Sequence, residues 1–474
     1  MYTGLIVMLP EIIISVMACF ILILDLFISK AKKNIIYYLS QITILSVIFI
    51  SFYLITTPRC TLFYGAFVSD FYSVLFKFII AIGGFCIFLY SKEYLKYIDL
   101  FKGEYFVLCL LSILGMMIMV SSGTFLTLYL GLELLSLPLY SLIIMNKSAV
   151  SSEASMKYFI MGSIASGIFL FGVSLVYGMT GTIDFKLINQ IIINEEVFSN
   201  ITLQYGLAFI IAGLVFKFGA VPFHMWVPDV YEGSPITITM FIGTIPKIAA
   251  LGMAYRLIID TFSVLNTELE FLFITIGTIS LFLGNIFALS QINIKRLLGY
   301  SAIAHVGFIF CGLAASDVSD FGPITFYVSI YILSSLGAFA IIIALSSKEK
   351  EANLITDLNG LGLSYPVMGI MMMLFLLSLA GIPPTAGFFA KFFVIKSLIS
   401  YGFFELALFV VLMSVIASYY YLKIIKTMFF EQIYTNIKIN GMSKLGLCFI
   451  LINGGLILFI GIFPDMFLKI CSIP

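Results

Sequence analysis

Charge is what this chain has least of: Asp, Glu, Lys and Arg make up 10% of its 474 residues, against roughly 25% in an ordinary soluble domain. With 62% of residues hydrophobic, too few polar groups remain to cover a water-facing surface, which excludes a cytosolic enzyme. The charge present is balanced, 25 basic against 24 acidic residues for a net +1. That leaves no basic face for nucleic acid and no acidic tail for a basic partner. Histidine is scarcer still. His224 and His305, the only two, fall on different apolar runs and do not supply the axial ligands of a multi-haem electron carrier. The seven cysteines, Cys19, Cys60, Cys86, Cys109, Cys311, Cys448 and Cys471, are scattered through mostly apolar runs without a CxxC pair or regular spacing. They indicate neither a disulfide framework nor a metal site and read as small apolar residues. No GxGxxG or P-loop follows a strand, so nucleotide binding lacks support. The longest hydrophilic segments, about 180–202 and 347–363, are too short to house a catalytic domain.

What the chain does have is long apolar runs. Windows of about 19 residues predict spans near 5–28, 35–56, 71–90, 105–120, 124–145, 156–179, 203–224, 236–259, 271–290, 297–315, 323–346, 364–400, 404–427 and 445–468. The expected fold is therefore all-α and polytopic, with about 14 transmembrane helices. The first run, Leu5 to Phe27, lacks a basic leader and is too long for a signal-peptide core, so it reads as a retained span. The twelfth run is anomalous. As one helix its 37 residues would reach about 55 Å, too long for one straight span and too short for two with a loop. Gly381-Ile382-Pro383-Pro384 sits in its middle.

The distribution of Lys and Arg tests this count. Odd-numbered loops hold fifteen, among them Lys30, Lys102, Lys147, Lys295, Arg296, Lys348, Lys350, Lys423, Lys426, Lys438 and Lys444. Even-numbered loops and the C-terminal tail hold five: Arg59, Lys186, Arg256, Lys396 and Lys469. Both termini are therefore predicted outside, on the periplasmic or intermembrane side. Counting 364–400 as two spans would move Lys423, Lys426, Lys438 and Lys444 to the wrong side, so it is read as one broken helix.

The remaining five basic residues, Lys77, Lys157, Lys217, Lys247 and Lys391, are assigned to predicted spans and not to the loops. Each costs at least about 2.5–3.5 kcal/mol on insertion scales and needs the protein interior, a partner or water to face. Glu133 lies close to mid-span with no basic residue at helical spacing. Desolvation favours its protonated form and a cation on another helix its charged form, so it reads as a proton-responsive group; the alternative is a fixed ion pair that locks two helices. Lys217 precedes His224 by seven residues, two turns along one face if the helix continues, but Pro222 stands between them. Interrupted backbone at membrane depth is tolerated inside protein or beside water, which suggests a hydrated cavity; the alternative is a snorkelling Lys217. Lys247 follows Pro246 at the centre of its run, where snorkelling reaches water least, and reads as part of a polar relay. Lys391 stands eight residues past the proline break of the twelfth run. Lys157, at the start of span six, reads either as an anchor or as a functional group. Lys77 fits a partner contact or an internal ion pair better than a place in the relay. His305 extends a polar axis or is a hydrogen-bonded packing histidine.

The two proline breaks, in spans seven and twelve, are five spans apart, and an odd offset forces a repeat of spans 4–8 onto 9–13 to be inverted. Inverted repeats with broken helices at mid-depth are a transporter design in which the break marks the ion path. The expected organisation is a three-span N-terminal segment (1–104), a first five-helix repeat (105–260), a second (261–430) and a final span (431–474).

Three runs carry a family resemblance: Val221-Pro-Phe-His-Met-Trp-Val-Pro-Asp-Val-Tyr-Glu-Gly-Ser-Pro235, Lys295-Arg-Leu-Leu-Gly-Tyr-Ser-Ala-Ile-Ala-His-Val-Gly307 and Leu377-Ser-Leu-Ala-Gly-Ile-Pro-Pro-Thr-Ala-Gly-Phe-Phe-Ala-Lys391. Together they resemble the subunit N family of the proton-pumping NADH-quinone oxidoreductase, respiratory complex I, and the likeness extends over essentially the whole chain. The related subunit L looks longer, with a lateral helix for which this chain lacks length, and subunit M resembles a chain with Glu where Lys391 stands. The resemblance implies a fourteen-helix, antiporter-like subunit of the membrane arm that couples quinone reduction elsewhere to proton transfer. It implies no cofactor in this chain, with NADH, FMN, iron–sulfur clusters and quinone bound by other subunits. The implied partners are membrane-arm subunits including M and the small subunit K, in a bacterial inner membrane or a mitochondrial inner membrane. The family's proton-path residues fall on Glu133, Lys217, Lys247 and Lys391, and its span-six lysine on Lys157. Two other classes of function stay open: an Mrp-type cation/proton antiporter subunit with the same lysines, and a structural subunit whose buried charges only pin helices.

Overall fold

The computed structural model describes residues 2–29, 32–195, 200–263, 265–316, 321–347, 351–431 and 441–472. Lys30, Lys348, Lys350 and Lys438, which entered the loop count, lie outside the described residues. Among the described residues, thirteen helices are long and apolar enough to cross a membrane. The remaining predicted run, 364–400, consists of two 15-residue helices, Pro366–Ala380 and Ala386–Ser400. The chain is an all-α, multi-pass membrane protein. Its one described sheet is a small antiparallel hairpin pairing Cys60–Leu62 with Phe67–Ser69.

Two compact units emerge from the contacts. The first comprises residues 1–85, 101–218 and 245–269. It contains span 1 (Leu9–Phe27), span 2 (Asn34–Leu54), span 4 (Gly103–Val120), span 5 (Phe125–Asn146), span 6 (Ala149–Thr180) and the span-7 helix Ile201–Phe218. Spans 4 and 5 meet backbone to backbone. A Cβ on Gly115 would lie 2.3 Å from the Leu135 nitrogen, and one on Gly131 would lie 2.7 Å from the Met119 nitrogen. Small residues at such crossings let transmembrane helices approach closely, and here they fix the depth and rotation of the span that carries Glu133. Span 4 is thereby 78% buried, whereas span 6 is only 28% buried and faces outward.

The second unit comprises residues 86–100, 219–244 and 270–474. A short helix, Trp226–Gly233, packs on span 10 (Ile294–Ala314), and the helix Ile236–Gly243 packs on span 11 (Gly322–Leu345). Span 11 touches both halves of span 12 and also span 14 (Lys444–Ile462). Spans 10 and 11 are the buried centre, at 94% and 83%. The first half of span 12 closes on Gly381, whose φ of +84° a side chain would resist. Gly381 and Ile382 both donate backbone N–H to the Leu377 carbonyl, at 2.9 and 3.0 Å.

Three expectations need correction. The sixth span was expected at 156–179 and is a 32-residue helix, Ala149–Thr180, because Ser148 and Ser151 form a capping box that starts it earlier. The eighth, expected as one helix over 236–259, is interrupted at Thr244, restarts at Ile245 and ends in a π-helical turn, Arg256–Thr261. Arg256 and Lys295, both expected in loops, are buried at 0% and 1% exposure.

Candidate functional site

Glu133 and Ser136 lie three residues apart on span 5 and so share a helix face. Ser166 of span 6 donates to Glu133 Oε1 at 2.5 Å. Lys217, the penultimate residue of the span-7 helix, donates to Ser136 Oγ, and that hydroxyl donates onward to the Leu132 carbonyl at 2.5 Å. Ser136 therefore stands between the carboxylate's helix and the ammonium. Lys217 is buried and Glu133 half-buried.

The helix of span 7 ends at Phe218, and the residues after it form turns, with Val221–Pro222 in the cis form. Lys217 and His224 consequently do not share a helix face. The break frees the Phe218 carbonyl, and Lys247 donates to it. Lys247 is 2% exposed and sits in the first turn of Ile245–Tyr255. Two helix dipoles thus act on one ammonium: the negative end at Phe218 favours it and the positive end of its own helix opposes it.

The second unit repeats this arrangement. Lys391, in the second half of span 12, donates at 2.7 Å to the carbonyl of Ala380, the last residue of the first half. Its Nζ lies 5.0 Å from the centre of the Phe308 ring. His305 borders the same narrow gap and hydrogen-bonds Tyr327 at 2.7 Å and Tyr421 at 3.1 Å. Tyr421 continues to Ser301 at 2.5 Å, and Ser334 pairs with Ser378 at 2.7 Å beside Lys391. A neutral imidazole has one nitrogen that donates and one that accepts, so His305 can accept from one tyrosine while donating to the other.

Among the described residues, no carboxylate stands within 4 Å of the Nζ of Lys217, Lys247 or Lys391. The other membrane lysines differ. Lys77 pairs with Glu11 at 2.6 Å, both buried, an internal ion pair, which is one of the two alternatives held open for it. Lys157 pairs with Glu153 one turn away at 2.9 Å and is 45% exposed. His224 is half-buried in the turn after Phe218. Among the described residues no three His, Cys, Asp or Glu side chains gather as metal ligands.

The residues that hydropathy and spacing did not single out are Ser136, Ser166, Tyr327, Tyr421 and the partners of Lys295. Glu351 accepts from Lys295 Nζ at 2.8 Å, from the Ile236 nitrogen at 3.0 Å and from the Tyr94 hydroxyl. Burial raises its proton affinity, but the Lys295 charge and these donors outweigh it and hold the carboxyl below its ordinary 4.5. A depressed carboxyl stabilises the fold above its unfolded value and loses that contribution as pH falls through the folded one. Glu351→Gln is therefore expected to cost about 2–3 kcal/mol at neutral pH. It should read as a lowered unfolding temperature of the purified complex, with the gap to wild type narrowing under strongly acid conditions.

Residues 122–417 match the family described as NADH:quinone oxidoreductase/Mrp antiporter, TM. The NADH-quinone oxidoreductase subunit N of Ruthia magnifica subsp. Calyptogena magnifica is 43% identical over 472 residues, covering 99% of this chain and 97% of that one. The chain belongs to the subunit N family. A chain of the respiratory complex I of Thermus thermophilus, solved with bound aureothin, superposes with a TM-score of 0.84 at 25% identity, covering 98% of this chain and 99% of that one. A chain of the Mrp complex from Dietzia sp. DQ12-45-1b superposes with a TM-score of 0.86 at 18% identity, covering 98% and 96%, which extends the shared fold but not the function. The antiporter-like fold expected for subunit N is thus the fold found.

Proposed function

We propose that this chain is a non-redox, proton-translocating subunit of the membrane arm of NADH-quinone oxidoreductase, seated in a bacterial or mitochondrial inner membrane. Its partners are other membrane-arm subunits, including M and K, and both termini lie on the periplasmic or intermembrane side. Residues 105–260 and 261–430 act as inverted five-helix repeats. NADH, FMN, iron–sulfur clusters and quinone belong to other subunits.

The relay consists of Glu133, Lys217, Lys247 and Lys391, with His305 and His224 as auxiliary groups and Lys157 at its margin. Its step is a switched ion pair. Glu133 drawn towards Lys217 stabilises the ammonium; Glu133 withdrawn leaves it on the Ser136 hydroxyl, and each 1.36 kcal/mol of difference changes proton affinity about tenfold. The proton lost by Lys217 passes to Lys247 and is delivered through Lys391. Quinone reduction elsewhere supplies the drive through neighbouring subunits, so the chain works by coupling and not by chemistry on a substrate.

One observation carries this reading: three buried membrane lysines lack a described carboxylate partner, and two of them rest on carbonyls freed by helix breaks. A structural pin would be neutralised by a counter-ion, as Lys77 is by Glu11. Glu133→Gln, with almost the same shape and no charge, is expected to slow NADH-driven proton pumping by about fivefold, or ~1 kcal/mol, at matched complex content. Wild-type pumping by Glu133→Gln would remove the carboxylate from the mechanism.

A further inference from the structure

The first unit has a groove of about 580 Å³ at one end of spans 4 and 5. One wall is a single face of span 4, on which Glu104, Leu108 and Leu111 follow at helical spacing. The wall is acidic at the helix start and apolar over about the next 10 Å. Leu22 of span 1 and Ile144 of span 5 add apolar lining, and they are 50% and 43% exposed. Lys147 closes the rim from the turn between spans 5 and 6, where its backbone is held left-handed at φ 51° and its N–H bonds the Ile144 carbonyl at 2.8 Å. Asp25, which abuts the start of span 4, is already paired with Lys33 at 3.4 Å. Glu104 and Lys147 are exposed, and among the described residues neither has an ion-pair partner.

We propose that this groove binds a zwitterionic phospholipid with a primary amine, of the phosphatidylethanolamine type. An acyl chain lies along Leu22, Leu108 and Leu111, the phosphate meets Lys147 and the ammonium meets Glu104. The charges select this occupant. A mouth with one fixed charge of each sign complements a headgroup with one of each, whereas an anionic headgroup would meet Lys147 but be repelled by Glu104. The apolar wall begins at the start of a spanning helix, where headgroup gives way to hydrocarbon. Neither Glu104 nor Lys147 takes part in the proposed proton relay, so this inference stands apart from it.

The test reconstitutes the whole purified complex in nanodiscs with phosphatidylethanolamine or phosphatidylglycerol, each with a photoreactive acyl chain, and maps the labelled peptides. Labelling around Leu108, Leu111 and Ile144 is expected, stronger with the ethanolamine lipid by about fivefold, the worth of one exposed charge pair. Leu108→Trp should fill the groove and abolish the labelling. Glu104→Gln, which keeps the groove open, should retain labelling and level the headgroup preference. Equal labelling of the wild type by both lipids would reduce the groove to ordinary boundary lipid and overturn the proposal. So would cross-linking of these peptides to a neighbouring subunit in place of lipid.

Discussion

Lys247→Ala is expected to cut NADH-driven quinone reduction on the order of tenfold in assembled complex, about 1.4 kcal/mol, and Lys247→Arg is expected to do the same. The arginine carries the weight of this prediction. Lys247 donates to the Phe218 carbonyl at the end of a broken helix. A guanidinium can also donate to that carbonyl and keeps the positive charge there, so a residue that merely pins the two segments would survive the change. Arginine does not give up its proton in a protein, whereas lysine can. Activity normalised to complex content measures the difference. Wild-type activity in Lys247→Arg, alongside loss in Lys247→Ala, would mark the residue as structural.

Arg256→Ala should fail earlier, at assembly. The Arg256 side chain is fully buried and makes four bonds: Nε to the Val120 carbonyl at 3.0 Å, Nη1 and Nη2 to Asp70 at 2.7 and 3.0 Å, and Nη1 to Asp260 at 2.7 Å. Burial pushes the Asp70 carboxyl up, but the guanidinium outweighs it and holds the group below its ordinary range. Removing Arg256 leaves Asp70 without its counter-ion and Asp260 with only Arg59, at 3.0 Å. Breaking such a buried pair costs about 3–5 kcal/mol, a large share of the roughly 5–15 kcal/mol that holds a domain folded. Immunoblots of membranes and native gels should show little subunit and little intact complex. Arg256→Lys should recover only part, because one ammonium does not reproduce the fork across both oxygens of Asp70. Normal complex levels in Arg256→Ala would show that the cluster contributes little.

Much of this architecture is legible in the sequence because lipid makes hydropathy and proline speak plainly. Apolar runs located the spans, and Pro222 and Pro383-Pro384 located two broken helices. The third interruption, at Thr244, was missed because it lies inside one long apolar run, 236–259, in which Pro246 and Lys247 do not lower the window's hydropathy enough to mark a break. In the structure Pro246 is the second residue of Ile245–Tyr255, the first turn, where proline costs a helix least. Arg256 and Lys295 were misplaced for a related reason. A hydropathy window reads a charge at a span end as loop, while the carboxylate that allows Arg256 to be buried, Asp70, is 186 residues away. His305 was visible as a polar group, but its partners Tyr327 and Tyr421, 22 and 116 residues off, look like any other aromatic residue in an apolar run. By contrast, the link from Lys391 to Ala380 spans only 11 residues, across a proline break that the sequence already placed beside that lysine.

The most direct test of the relay is proton pumping driven by NADH oxidation in vesicles, comparing wild type with Lys217→Ala and Lys247→Ala at equal content of intact complex. Pumping and coupled quinone reduction should fall together while the complex stays whole. If both persist at wild-type levels, the buried lysines are pins between helices and no proton passes through them.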